Sequence, residues 1–142
     1  MSNSREQIYK EYFEQHPLHK LIGIKIDRIE SKKAEVSIPI NSNTINIAGS
    51  LHGGVIYLVS DVASFVSLEH SLGESEYAVT IDLQCSVYKA ASDSTILFKA
   101  ELTKRTRRLA FINVQVFGGE QDLIAEARVT KAIIKKVPET LK

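Results

Sequence analysis

From Val55 to Leu68 the sequence sets apolar side chains at almost every angle around a helix: Val55, Ile56, Leu58, Val59, Val62, Ala63, Phe65, Val66 and Leu68. A helix that is apolar all round offers water no face and must be buried on most sides. Its β-branched residues weaken intrinsic helix propensity, so packing has to hold it in place. Ser60, Asp61, Ser64 and Ser67 interrupt the run, which is too short and too polar for a membrane span. Gly53 and Gly54 introduce the helix, and Gly73 stops it beyond Leu72 after about five turns. The rest of the chain must therefore wrap one central helix.

Six segments alternate with the period of a half-buried strand. Ile22, Ile24 and Ile26 alternate with Gly23, Lys25 and Asp27, and Ala34, Val36 and Ile38 with Lys33, Glu35 and Ser37, the two joined by a polar turn from Glu30 to Lys32. After the helix come Tyr77 to Tyr88, Thr95 to Lys104, Leu109 to Phe117 and Leu123 to Ile134. Ile96, Phe98, Ala100 and Leu102 share a face, as do Ala110, Ile112, Val114 and Val116, and then Leu123, Ala125, Ala127 and Val129. On the first of these four, Val79, Ile81, Leu83, Cys85 and Val87 form the apolar face. That parity turns Thr80, Asp82 and Gln84 away from the helix unless a bulge or a subunit seam redirects them.

An antiparallel sheet with one apolar face must cover it, and the central helix is the only long apolar element available. The expected class is α+β, a curved antiparallel sheet of five to six strands around a long central helix, which is the hotdog fold. One domain spans 1–142. Its N-terminal segment, 1–20, holds a short peripheral helix capped by Ser4, with Ile8 and Tyr12 on one face and Pro17 ending it; residues 137–142 form a tail.

The proportions, 44% hydrophobic and 25% charged, suit one globular domain. A net charge of +1 creates no field for general nucleic-acid binding. Cys85, the one cysteine, reads as an inert core thiol, and the polar start MSNSREQ lacks a secretory signal, so the expected compartment is the cytoplasm. His16 and His19 have no Cys or acidic cluster around them, and no metal is expected. No Gly-x-Ser-x-Gly elbow accompanies the His-Gly-Gly sequence, which removes the serine-hydrolase signature.

Chemistry concentrates around the start of the helix. Asp61 stands among Leu58, Val62, Phe65 and Leu68, and an aspartate in apolar surroundings has a partner or a task. Gly53 and Gly54 lie where free backbone N–H groups collect at a helix N-terminus, suited to a carbonyl whose oxygen turns negative during attack. The blander readings are a solvated carboxylate and a tight loop-to-helix turn. The run Asn46-Ile47-Ala48-Gly49-Ser50-Leu51-His52-Gly53-Gly54, with Asp61 nine residues after His52, closely resembles the signature of phenylacetic-acid-degradation-type (PaaI-like) hotdog acyl-CoA thioesterases.

That resemblance implies hydrolysis of an acyl-CoA to a carboxylic acid and free CoA, with CoA part of the substrate and no separate cofactor. It gives Asp61 the role of nucleophile or general base, the Gly53 N–H that of oxyanion donor beside Gly54, and Asn46 a place near the carbonyl or the attacking water. His52 is expected to hold the loop that positions the glycines. Thr80 matches a polar site position of the family. Lys104, Arg105, Arg107 and Arg108 cluster at one turn and could hold the phosphates of CoA; such turns are also commonly solvated or paired with acids. Gly53 and Asp61 are eight positions apart, about 12 Å along a helix, so one carbonyl can reach both only if they come from two subunits. The expected partner is a second copy, as a homodimer or dimer of dimers. The alternative is a non-catalytic hotdog protein that binds acyl-CoA or fatty acyl ligands.

Overall fold

The structure is a computed structural model that describes residues 3–92, 95–136 and 139, with side chains from residue 6 onward. The side chain of Ser4, expected as a cap, and most of the 137–142 tail lie outside the described residues. The chain runs α1 (Asn3–Gln15), α2 (Pro17–Ile22), β1 (Lys25–Glu30), β2 (Lys33–Pro39), α3 (Gly53–Leu68), β3 (Tyr77–Val87), β4 (Thr95–Arg105), β5 (Leu109–Phe117) and β6 (Leu123–Ile134). The strands make one sheet in the order β1-β2-β4-β5-β6-β3, antiparallel at every neighbouring pair. Helix α3 lies across its apolar face, most heavily on β4 and β2. This is the hotdog architecture, and its edges are β1 and β3.

Alternation decides what enters the core. Val36 and Ile38 of β2, Ile96 and Phe98 of β4, Ile112 and Val114 of β5 and Ala127 and Val129 of β6 are buried against Ile56, Val59, Ala63 and Val66 of α3. Each large side chain so buried contributes about 1.5–3 kcal/mol. Two of the helix serines turn their hydroxyls inward on the backbone: Ser64 Oγ donates to the Asp61 carbonyl at 2.7 Å and Ser67 Oγ to the Ser64 carbonyl at 2.8 Å, so these polar atoms are buried at little cost.

Four local expectations are corrected. Ile22 ends α2 rather than starting a strand, because Gly23 caps that helix in the left-handed region (φ 88°), where a Cβ would also meet the Pro39 ring at 2.9 Å. Pro17 ends α1 but opens α2, where a missing N–H costs nothing. Helix α1 is not peripheral, and its inner face is Tyr9 and Phe13, not Ile8 and Tyr12: Tyr9 is buried, and both inner rings sit 5.3–5.5 Å from that of Phe65. Finally, α3 stops at Leu68 and continues only as one 3-10 turn to Ser71; the Gly73 N–H goes instead to Glu76 Oε1.

Candidate active site

Strand β3 holds the decisive correction. Its register against β6 shifts between Thr80 and Asp82, so Ile81 is the extra residue of a β-bulge. Before the bulge Ala78 and Thr80 turn toward α3; after it Leu83, Cys85 and Val87 do, opposite the core-facing Val129, Ala127 and Ala125. Val79 and Ile81, expected against the helix, are instead 37% and 58% exposed. Cys85 is half-buried, and burial pushes its thiol above the ordinary value.

The bulge delivers Thr80 to Asp61. Thr80 Oγ1 donates to Asp61 Oδ1 at 2.5 Å, and Lys131 Nζ lies 3.2 Å from the same oxygen and 2.6 Å from Thr80 Oγ1. Oδ2 has no hydrogen-bond partner among the described residues, and the Asp61 side chain is 42% exposed. Lys131 is buried, with its ammonium 5.7 Å from the centre of the Phe65 ring. Burial pushes that ammonium below its ordinary value, while the charge and hydrogen bond of Asp61 oppose the shift. Lys131 escaped the sequence reading although the signal was there: it continues the Ala125, Ala127, Val129 alternation onto the core face.

At the other end of α3, His52 is the N-cap, its Nδ1 accepting the Gly54 N–H at 2.9 Å. A Cβ on Gly54 would meet that ring at 3.0 Å, so a side chain there would crowd the capping imidazole. Val55 and Ile56 donate to the His52 carbonyl. Gly53 N–H finds no acceptor among the described residues, and a Cβ on Gly53 would approach only the Tyr57 ring, at 3.8 Å. Asn46 is turned on its own loop: Oδ1 accepts from the Ala48 and Ser50 N–H groups and Nδ2 donates to Ser50 Oγ. Beyond it Ile47 is fully exposed.

The basic turn divides. Arg105 is half-buried, with Nη2 2.9 Å from each oxygen of Glu76 and Nη1 donating to the Ser71 carbonyl, so it ties the turn to the molecule. Lys104, Arg107 and Arg108 are exposed. A hollow of about 940 Å³ lies on the opposite face of the sheet, among Lys99, Glu101, Gln115 and Arg128, and includes neither Asp61 nor Gly53. Among the described residues no group of three or more His, Cys, Asp or Glu side chains could hold a metal ion, and no helix is long and apolar enough to cross a membrane. His19 Nδ1 donates to the Phe13 carbonyl at 2.9 Å, and burial lowers its pKa.

The fold and sequence have relatives. The chain is similar over 87% of its length, at 26% identity, to a Sulfurisphaera tokodaii protein named "Putative esterase", 91% of which is covered. In structure it is similar to a thioesterase family protein of Silicibacter pomeroyi (22% identity, 92% of this chain and 98% of that one, TM-score 0.86). A thioesterase of Haemophilus influenzae is similar too (18% identity, 89% and 88%, TM-score 0.83). Residues 48–125, more than half of the chain and including the glycines and Asp61, match the family model described as the thioesterase superfamily. The chain belongs to that superfamily, whose chemistry is the hydrolysis of acyl thioesters.

Proposed function

We propose that this chain is a cytoplasmic, PaaI-like acyl-CoA thioesterase with two equivalent sites, each made of Asp61 from one protomer and the Gly53 N–H of its partner. The observation that carries the reading is the uncovered stripe of α3. Gly54, Tyr57, Leu58 and Asp61 are exposed or half-buried, while nearly all the rest of the helix is buried. On that stripe an open carboxylate oxygen and an open N–H stand about 12 Å apart, too far for one carbonyl. Two copies joined along β3 with their α3 helices antiparallel would bring each group opposite its complement.

In that site the thioester oxygen lies on the partner's Gly53 N–H, where negative charge is stabilised as it develops. Asp61 Oδ2 takes a proton from water whose oxygen attacks the carbonyl carbon, or attacks that carbon itself to give an anhydride that water then opens. Collapse breaks the carbon–sulfur bond, and the thiolate leaves with a proton as free CoA. The exposed Lys104, Arg107 and Arg108 suit the phosphates of CoA; Arg105 is committed to Glu76.

Asp61→Asn keeps the shape of the side chain but not its basicity. We expect it to lower kcat by at least about 100-fold in a thiol-release assay over a panel of acyl-CoAs, with the oligomer intact by light scattering. Full activity in this variant removes Asp61 from the mechanism, and tight acyl-CoA binding without thiol release by the wild type marks a non-catalytic binder. Single turnover in heavy-oxygen water separates the two routes: label in the Asp61 carboxylate rather than the product acid marks the anhydride.

A further inference from the structure

We propose that Lys131 is a positioning residue for this reaction, clamping Oδ1 of Asp61 together with Thr80 so that Oδ2 alone is presented to the substrate. The inference rests on the reading of Asp61 as the reacting carboxylate, and it concerns a residue outside the motif that carries that reading.

The geometry is a closed triangle. Lys131 Nζ is 2.6 Å from Thr80 Oγ1 and 3.2 Å from Asp61 Oδ1, and Thr80 Oγ1 is 2.5 Å from that same Oδ1. Because an ammonium can only donate, the bond from Lys131 fills an acceptor site on the Thr80 hydroxyl and turns its hydrogen toward Asp61. One carboxylate oxygen thus receives two donors, one of them cationic, and the side chain is fixed about the axis that aims Oδ2. Neither donor would suffice alone: Thr80 sits at an exposed edge, where its hydroxyl could rotate, and Lys131 without the threonine would make a single long bond.

Packing needs no lysine here. Lys131 faces the core between Thr80 of β3 and the buried Ala110 of β5, over the Phe65 ring. A buried ammonium is costly, and replacing such a charge with an apolar side chain of similar length is commonly neutral or stabilising. Asp61 is its only ion-pair partner among the described residues. The other titratable groups near the pair are Tyr77 of β3 and His19 of α2, both of which feel the Asp61 charge, and neither supplies an anion to replace it. A residue that costs stability and serves one carboxylate is explained by what that carboxylate does.

The test compares Lys131→Met and Lys131→Arg with wild type and Asp61→Asn, measuring kcat, KM and melting temperature across pH. Lys131→Met should melt no lower than wild type and keep KM within about threefold while kcat falls about 10- to 100-fold. In the wild type, kcat should fall on the alkaline side as Lys131 loses its proton earlier than a surface lysine would, its ammonium being disfavoured by burial. Lys131→Arg, whose guanidinium stays protonated, should recover part of the kcat lost in Lys131→Met and show no such alkaline fall. Wild-type kcat and pH profile in Lys131→Met, with Asp61→Asn inactive, overturns the inference and leaves the thioesterase reading standing. Full activity in Asp61→Asn overturns the reading and the inference with it.

Discussion

The two edges of the sheet are built on opposite principles. Edge β1 is six residues long and carries four charges: Lys25, Asp27, Arg28 and Glu30. Its register is broken by a bulge between Ile26 and Arg28, Arg28 bridges Glu30 at 2.6 Å and Glu35 at 3.5 Å, and the Ile26 N–H is taken by Glu14 of α1 at 2.8 Å. Edge β3 is eleven residues long, has Asp82 as its one charge, and exposes Val79, Ile81 and Val87, with Tyr88 just beyond. Both edges carry a bulge, so length and charge make the contrast: short, charged edges refuse further strands, and long apolar ones invite them. The proposed seam follows this difference, because the inviting edge is the one that runs past Asp61.

The largest effect should come from making β3 resemble β1. Replacing Val79 and Ile81 together with lysine should leave a folded monomer by circular dichroism and light scattering, with thiol release lowered at least about 100-fold, since in the proposed dimer each Asp61 would lose the oxyanion donor opposite it. Lys25→Glu on β1 should change neither property. A charged β3 that stays dimeric and active places the seam elsewhere. A finer cut mixes two inactive variants. Gly53→Pro deletes the proposed donor while suiting the first turn of α3, because His52 already has the extended backbone (φ −67°, ψ 129°) that precedes proline. Co-refolded with Asp61→Asn, it should restore about a quarter of wild-type activity, since half the dimers are mixed and each holds one intact site. No recovery from the mixture excludes a shared site.

The same contrast marks what the sequence could disclose. The central helix was legible because apolar side chains on all sides admit one solution, and β2, β4, β5 and β6 were legible because their alternation holds over most of their length; it slips only past Leu102 in β4 and at the start of β6, where Ile124 is buried rather than the expected Leu123. The placement of Gly53 and Gly54 at the start of α3, and of Asp61 on it, could be read from the motif. Thr80 could be placed only through the resemblance: alternation carried through Ile81 predicts that Thr80 faces away, and the one-residue bulge that reverses it leaves no mark on a pattern of apolar residues. Ile22 and the Tyr9 face of α1 were misjudged because the competing isoleucine and tyrosine patterns are equally regular, and only contact with Phe65 and the Gly23 cap separates them. Lys131 was not legible as part of the site because a lysine within a strand ordinarily marks the solvent face, although its parity placed it inside.

The smallest expected effect lies at the root of β3 and concerns how the open edge is held to the rest of the sheet. Glu76 immediately precedes the strand, and its side chain is 11% exposed. It accepts from the Gly73 N–H at 2.8 Å, from Arg105 at the end of β4 at 2.9 Å and from Lys135 beyond β6 at 3.2 Å. The Gly73 N–H first, then Arg105 and Lys135, hold its carboxyl down at about 2 against the opposing effect of burial. A carboxylate so depressed stabilises the fold fully above its ordinary value of 4.5, and that contribution is lost as pH falls toward about 2. Glu76→Gln should therefore lower the unfolding free energy by about 1–2 kcal/mol at pH 7, after allowance for screening of the exposed Lys135. The gap from wild type should narrow in denaturant melts repeated below pH 4.5, while oligomeric state and thiol release at pH 7 stay close to those of wild type. A deficit that stays constant down to acid pH would mean that shape rather than charge ties β3 to its neighbours, and that the open edge is held by its β6 hydrogen bonds alone.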